Sequence, residues 1–174
     1  MADRDAAPGS GPGDLVVGVG DHEISLRVVG GGSWRLPVGV IDLLDGPLER
    51  ADLPQPEQLT NALGVVTDHL DDVLRESPVV EAAPRVVVAG PHADALARVE
   101  VGRDPVDGDH ELARPDADEV FRTLVAEPVA ERRHNPGLRA DEAETIVATC
   151  CVVLALMRRL ELTSVTVVAE AEAA

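Results

Sequence analysis

The chain has 174 residues, of which 45% are hydrophobic, so it is long enough for one domain with a sizeable apolar core. Its formal net charge is -17 and arginine is its only strongly basic residue, which excludes nucleic acid and anionic membranes as partners drawn by long-range attraction. Trp34 and Phe121 are the only aromatic residues, so few side chains are available to stack on a base.

The two ends of the chain differ from its centre. Residues 1–13 are rich in Gly, Pro, Ala and Asp without periodicity and are predicted to be a disordered tail, and residues 171–174 a second tail. Residues 14–170 are predicted to form a single α/β domain. No signal peptide and no run of roughly 20 apolar residues is found, which predicts a cytoplasmic protein. The adjacent Cys150 and Cys151 are then expected to be reduced core residues.

The first predicted element is a hairpin in residues 15–29, LVVGVGDHEISLRVV. Valines precede Gly18 and Gly20, which bracket the bend, and alternate apolar residues follow from 24 to 28, as in a half-buried strand. The turn at residues 18–23 projects from the end of a sheet. Such a turn, with its amide groups exposed, can cradle a phosphate.

Further elements follow in order. A strand is predicted at residues 34–41, on the sheet edge because Pro37 cannot donate to a central ladder. Residues 56–76 carry one apolar stripe and predict a long helix. Residues 85–89, which are apolar after Arg85, indicate a central, parallel strand. The remaining predictions are helices at 94–99, 116–126, 131–134 and 141–160, a loop at 101–116 and a last strand at 164–169.

These elements spell β-β-β-α-β-α-α-β. The order predicts a mixed five-stranded sheet with helices on both faces, an α/β fold of the ribonuclease H-like type found in one half of an actin-like ATPase. In open sheets of this kind, ligands bind beyond the carboxyl ends of the strands. The candidate site is therefore expected at two turns, residues 18–23 and residues 90–93.

Four landmarks in the same order resemble the second half of the exopolyphosphatase and guanosine pentaphosphate phosphatase (Ppx/GppA) family, over about residues 15–170. VVGVGDHEIS occupies the place of the family's V-V-D-I-G-G-G-S-T-E turn, and RLPVGVIDLLD matches S-L-P-L-G-A-V-R-L-T-E. An A-G-T turn is matched by AGP at 89–91, and P-G-L followed by R-A-D-V-I is matched by PGL at 136–138 and EAETI at 142–146. The resemblance implies the actin-like fold and a phosphoryl group bound by the two turns.

The resemblance implies that the phosphate-binding positions are Gly18, Gly20, Asp21, His22, Glu23, Ala89, Gly90, Pro91 and His92. Both turns are degenerate. Asp21 and Glu23 carry negative charge where a phosphate sits in the family, and Pro91 replaces a threonine and has neither hydroxyl nor amide hydrogen. Glu142 stands where the family has an arginine. The family's preceding half, which supplies a catalytic carboxylate, is expected to be missing.

The sequence therefore favours a catalytically inactive domain without a cofactor that binds a phosphorylated ligand, polyphosphate or a guanosine polyphosphate, or a protein partner. One alternative is an active phosphoanhydride hydrolase in which Mg²⁺ or another divalent cation is held by Asp21, His22, Glu23 and His92. The other is a pure interaction module that forms a homodimer or pairs with a full-length relative through the face left bare by the missing half.

Overall fold

The computed structural model describes residue 7 and residues 9–169. The strands of this described part are Leu15–Val19 (β1), Ile24–Val28 (β2), Ser33–Leu36 (β3), Val86–Ala89 (β4), His110–Ala113 (β5) and Ser164–Val168 (β6). Its α-helices are Val40–Asp45 (α1), Pro56–Glu76 (α2), Pro91–Val101 (α3), Arg114–Val125 (α4), Val129–Arg132 (α5) and Ile146–Arg159 (α6). Short 3₁₀ turns occupy Pro78–Val80 and Ala140–Glu142.

The strands form one mixed sheet in the order β3-β2-β1-β4-β6-β5. The three central strands β1, β4 and β6 are parallel, and β2, β3 and β5 pair antiparallel with their neighbours. The sequence VVV at the start of β4 is buried throughout, which agrees with its central place. The mixed α/β sheet, the central parallel β4 and the edge position of β3 are therefore confirmed.

One apolar core joins the sheet to its helices. Alternate residues of β1 and β2 are buried, and they belong to a single cluster with the buried residues of α2, α3, α4 and α6. Val87 and Val168, on the opposite face of the sheet, are buried but lie outside this cluster. Both parallel connections, from β1 to β4 and from β4 to β6, run in the same direction across the sheet.

Two strands differ from the prediction. The sheet has six described strands instead of five, because His110–Ala113 lies in a stretch predicted as a loop and pairs with β6 at the sheet edge. A four-residue strand with polar side chains is specified by its neighbour more than by its own pattern. The strand predicted at residues 34–41 ends at Leu36, beside Pro37, and the apolar residues that follow form α1.

The two longest helices follow the prediction closely. α2 presents its apolar stripe to α6, and every residue of α6 from Ile146 to Met157 is buried. α6 begins at Ile146, and not near residue 141, because Ala140–Glu142 forms a separate 3₁₀ turn. Cys150 and Cys151 are free and buried in this helix, as predicted, and burial raises the pKa of Cys151 to about 12.

Residues 9–13 were expected to be disordered, but they contact the domain. The Gly13 amide donates to the Val29 carbonyl at 2.9 Å, and Arg85 Nη1 donates to the Gly9 carbonyl at 2.7 Å. These hydrogen bonds hold the segment beside the start of β1. The rest of the two predicted tails, residues 1–6, 8 and 171–174, lies outside the described residues, as does residue 170.

None of the helices in the described part of the chain has the length and apolar character needed to cross a membrane. The cytoplasmic location stays a prediction from the sequence.

Candidate functional site

A pocket of about 330 Å³ lies between the β1–β2 turn and the β4–α3 turn. β1 and β4 are parallel neighbours, so the two turns meet beyond their carboxyl ends, as the sequence predicts for the binding site. All the predicted site residues except His22 line the pocket, together with Val19 and Ser25. The topology therefore brings together two segments that are some seventy residues apart in the chain.

The β1–β2 turn is held by its own hydrogen bonds and by the start of α1. The Gly20 amide donates to the Glu23 carbonyl at 3.0 Å, and the amides of Val40 and Ile41 donate to the carbonyls of Gly20 and Asp21 at 3.0 and 2.9 Å. A Cβ at position 39 would lie 2.3 Å from the carbonyl carbon of Asp21, so only glycine fits there. The backbone of this turn is consequently fixed by the segment behind it.

The β4–α3 turn ends in the amino terminus of a helix. Gly90 has a φ of +106°, which favours glycine, and Pro91 occupies the first turn of α3, where its missing N–H costs nothing. The first intrahelical bond runs from the Asp94 amide to the Gly90 carbonyl at 3.0 Å. The amides of His92 and Ala93 precede it and so have no partner within the helix. This end of α3 carries the partial positive charge that favours an anion.

Asp21 and His92 link the two turns. Asp21 Oδ1 lies 2.7 Å from His92 Nε2. An ionised carboxylate only accepts hydrogen bonds, so Nε2 carries the proton and donates it. The His92 side chain is 17% exposed and that of Asp21 is 63% exposed. The imidazole therefore lies within the pocket and the carboxylate lies at its mouth.

His22 and Glu23 bind partners away from Asp21 and His92. His22 Nδ1 is 3.0 Å from Asp42 Oδ1, and this hydrogen bond raises the pKa of His22 and lowers that of Asp42. Arg35 Nη1 donates to Glu23 Oε2 at 3.3 Å.

The predicted metal site is not assembled. Of its four proposed ligands, only Asp21 and His92 are in contact. Among the described residues there is no group of three or more His, Cys, Asp or Glu side chains that could hold a metal ion. These four side chains therefore do not form a site for a divalent cation.

The pocket combines a helix amino terminus with two carboxylates. Its lining includes the carboxylates of Asp21 and Glu23, and neither arginine nor lysine is among the lining residues. Transfer of a phosphoryl group requires cations that neutralise the charge of the transition state. A phosphate would be attracted by the helix terminus and His92, and each nearby carboxylate would oppose it by about 1 kcal/mol or more at close range.

Ser25 and the partners of the turn residues were not among the predicted site residues. Ser25 faces Gly18 across the hairpin, and a Cβ on Gly18 would lie within 2.4 Å of the Ser25 hydroxyl oxygen. Pairing the two predicted strands about their turn could have found this pair. Asp42 gave no such signal, because it lies beyond the predicted strand at residues 34–41 and α1 was not predicted.

No protein family model matches the sequence, and no curated protein matches it either. Solved structures do match. The Ppx/GppA phosphatase of Aquifex aeolicus superposes with a TM-score of 0.78 at 20% identity, covering 90% of this chain and 53% of that one. An exopolyphosphatase-like protein gives a TM-score of 0.78 at 19% identity, with 90% and 54% covered. An exopolyphosphatase from Cytophaga hutchinsonii gives 0.67 at 17% identity, with 90% and 53% covered.

The chain spans about half the length of these solved chains. Identities of 17–20% establish the fold alone. The resemblance inferred from the four sequence landmarks is therefore confirmed for the fold. Over nine-tenths of its length, this chain has the fold of the Ppx/GppA phosphatases.

Proposed function

We propose that this chain is a phosphate-binding domain that does not hydrolyse its ligand. The proposal is supported by a pocket that lies where the Ppx/GppA resemblance predicts the phosphate site but has no arginine or lysine in its lining. The pocket keeps two glycine-containing turns and a helix amino terminus at the carboxyl ends of β1 and β4. These are the features that bind an anion through backbone N–H groups.

The proposed ligand is the end of a polyphosphate chain or of a guanosine polyphosphate. Two of the structural neighbours are named as an exopolyphosphatase or exopolyphosphatase-like protein, which favours polyphosphate. A terminal phosphate would accept hydrogen bonds from the amides of His92 and Ala93 and from the Ser25 hydroxyl. The pocket of about 330 Å³ has room for a terminal phosphate group, and the rest of the ligand would extend into solvent.

The residues of the pocket also support the proposal that the domain does not hydrolyse its ligand. The pocket has no cationic Arg or Lys lining it and no described three-ligand metal cluster near it. Pro91 offers no amide hydrogen, and Asp21 places a carboxylate at the mouth. Binding energy in such a pocket stabilises the ground state and provides little additional stabilisation of a phosphoryl transition state.

Calorimetric titration with medium-chain polyphosphate tests the proposal. Gly90→Ala adds a methyl group in the pocket, and Gly102→Ala is its matched control, because both glycines have positive φ and Gly102 ends α3 with no atom within 4 Å of the added Cβ. We expect Gly90→Ala to weaken binding at least about tenfold and Gly102→Ala to leave it within about twofold. Equal affinities for both variants would place the ligand elsewhere.

A protein partner is the second candidate, favoured by the sheet face opposite the apolar core cluster. Val16, Ser25 and Thr166 lie on this face and are half-buried. A second copy of the chain or a larger relative is the proposed partner. Light scattering at micromolar concentration distinguishes a homodimer from a monomer, and a monomer would argue against self-association.

A further inference from the structure

We propose that Asp21 is an internal competitor for the phosphate site, because its carboxylate holds the imidazole N–H that a phosphate oxygen would otherwise accept. The inference rests on the proposed function and deepens it, since it names the residue that limits affinity. His92 is the only lining side chain with a nitrogen donor, and Asp21 Oδ1 accepts from its Nε2 at 2.7 Å.

The donor lies where a ligand would use it. His92 is in the first turn of α3, beside the amides at the helix terminus, and its side chain is largely buried in the wall of the pocket. Asp21 reaches it from the other turn, across the opening of the pocket. The carboxylate therefore occupies the position from which an incoming anionic oxygen would bind both the imidazole and the helix terminus.

Asp21 can leave this position without a change of fold. The backbone of its turn is held by the hydrogen bonds from Val40 and Ile41 and by the close packing of Gly39. Its side chain is 63% exposed, so a rotation about χ1 carries the carboxylate into solvent while the turn stays in place. The pocket thus has two arrangements that differ in one side chain, and a bound phosphate selects the open one.

Neighbouring carboxylates do not fill the same role. Glu23 also lines the pocket, but Arg35 holds it at 3.3 Å on the sheet edge. Asp42 is paired with His22, and neither lines the pocket. Removing the charge of Asp21 therefore weakens the hydrogen bond that occupies the donor of His92, whereas removing a charge elsewhere only changes the long-range potential.

The test uses calorimetric titration of the whole chain with sodium tripolyphosphate, without divalent cations and at low ionic strength. Asp21→Asn, His92→Leu and the double variant are compared with the wild type. Asp68→Asn on the exposed face of α2 is the control for loss of one negative charge. His22→Leu is the control for loss of an imidazole outside the pocket. Circular dichroism and the melting temperature verify folding, and Asp21→Ser serves as a second variant.

We expect Asp21→Asn to bind about tenfold more tightly than the wild type and Asp68→Asn to stay within about twofold. His92→Leu should weaken binding about tenfold and should abolish the gain from Asp21→Asn in the double variant, because leucine has no hydrogen-bond donor. A gain that survives His92→Leu would show simple charge repulsion and overturn the inference. Wild-type binding that Asp21→Asn leaves unchanged would overturn it and leave the proposed function standing, whereas no binding by any variant would overturn both.

Discussion

Asp21, His22 and Glu23 are consecutive residues, yet each has a partner on a different element. Asp21 pairs with His92 on α3, His22 with Asp42 on α1, and Glu23 with Arg35 on β3. Three polar residues in one turn therefore point in three directions. Composition alone suggested a cluster of metal ligands, and the cluster is absent from the described residues because the surrounding elements divide it.

The His22–Asp42 pair predicts a pH dependence. The Asp42 hydrogen bond raises the pKa of His22 above its ordinary value of 6.5, so the folded protein favours protonated His22. The stabilisation is fully present below the unfolded pKa and is lost as pH rises through the folded pKa. An NMR titration should show a His22 midpoint above 6.5 that falls toward this value in Asp42→Asn. A midpoint that Asp42→Asn leaves unchanged would contradict the assignment.

Arg98 is a buried arginine that sequence analysis could not identify, because arginine is rarely buried without partners and the pattern gives no sign of them. Its Nε donates to Asp94 at 2.9 Å, its Nη2 to Glu142 at 2.6 Å and its Nη1 to the Gly137 carbonyl at 2.7 Å. The guanidinium thereby ties α3, whose first turn lines the pocket, to the segment that precedes α6.

Arg98→Met should lower the free energy of unfolding by about 3 kcal/mol, because it leaves two partly buried carboxylates and a carbonyl without their donor. Arg75→Met is the control, since the Arg75–Asp72 pair is exposed and should contribute less than about 1 kcal/mol. Urea unfolding measures both variants. Similar losses for the two would show that the Arg98 network adds no more than a surface ion pair.

At the scale of elements, α1 decides the shape of the pocket. Its start packs directly against the β1–β2 turn through Gly39 and donates two backbone hydrogen bonds to it. Residues 34–41 were predicted to form one strand, but β3 ends at Leu36, beside Pro37, and the chain turns into α1. A local pattern could not show this, since α1 is stabilised by its buried residues in the core.

Gly39→Ala tests the contact between α1 and the turn. The added Cβ would overlap the backbone of Asp21 and His22, so we expect a loss of about 1–3 kcal/mol in unfolding free energy. Gly64→Ala, in α2, is the matched control, because no atom lies within 4 Å of its Cβ and alanine favours a helix by up to about 1 kcal/mol. The melting temperature should therefore fall for Gly39→Ala and rise for Gly64→Ala. An unchanged melting temperature for Gly39→Ala would contradict the close packing of Gly39 against the turn.

Elements with a strong local period were predictable from sequence and those defined by a neighbour were not. The first hairpin, α2 and α6 have apolar patterns long enough to specify both type and position. β5 was missed because its four residues acquire strand geometry by pairing with β6. The location of the site was predictable from sequence, because the ends of β1 and β4 meet in any sheet of this order. The side-chain pairs within it were not predictable, because they depend on α1 and β3.

At the scale of the whole molecule, the net charge of -17 opposes any anionic ligand. Salt screens this long-range repulsion, so the affinity for tripolyphosphate should rise as ionic strength increases from about 20 mM to about 200 mM. A basic binding surface shows the reverse dependence. Calorimetric titrations at several salt concentrations measure the sign of the effect. An affinity that falls steeply with salt would indicate a cationic site outside the described pocket.

We propose that the Ppx/GppA fold here binds a phosphorylated ligand without hydrolysing it. The most direct measurement is phosphate release from medium-chain polyphosphate, with and without Mg²⁺, on the same samples for which binding has been measured by calorimetry. We expect saturable polyphosphate binding that Gly90→Ala weakens, and no phosphate release above the protein-free background. Release above background that is lost in Gly90→Ala would contradict it and identify the pocket as an active site.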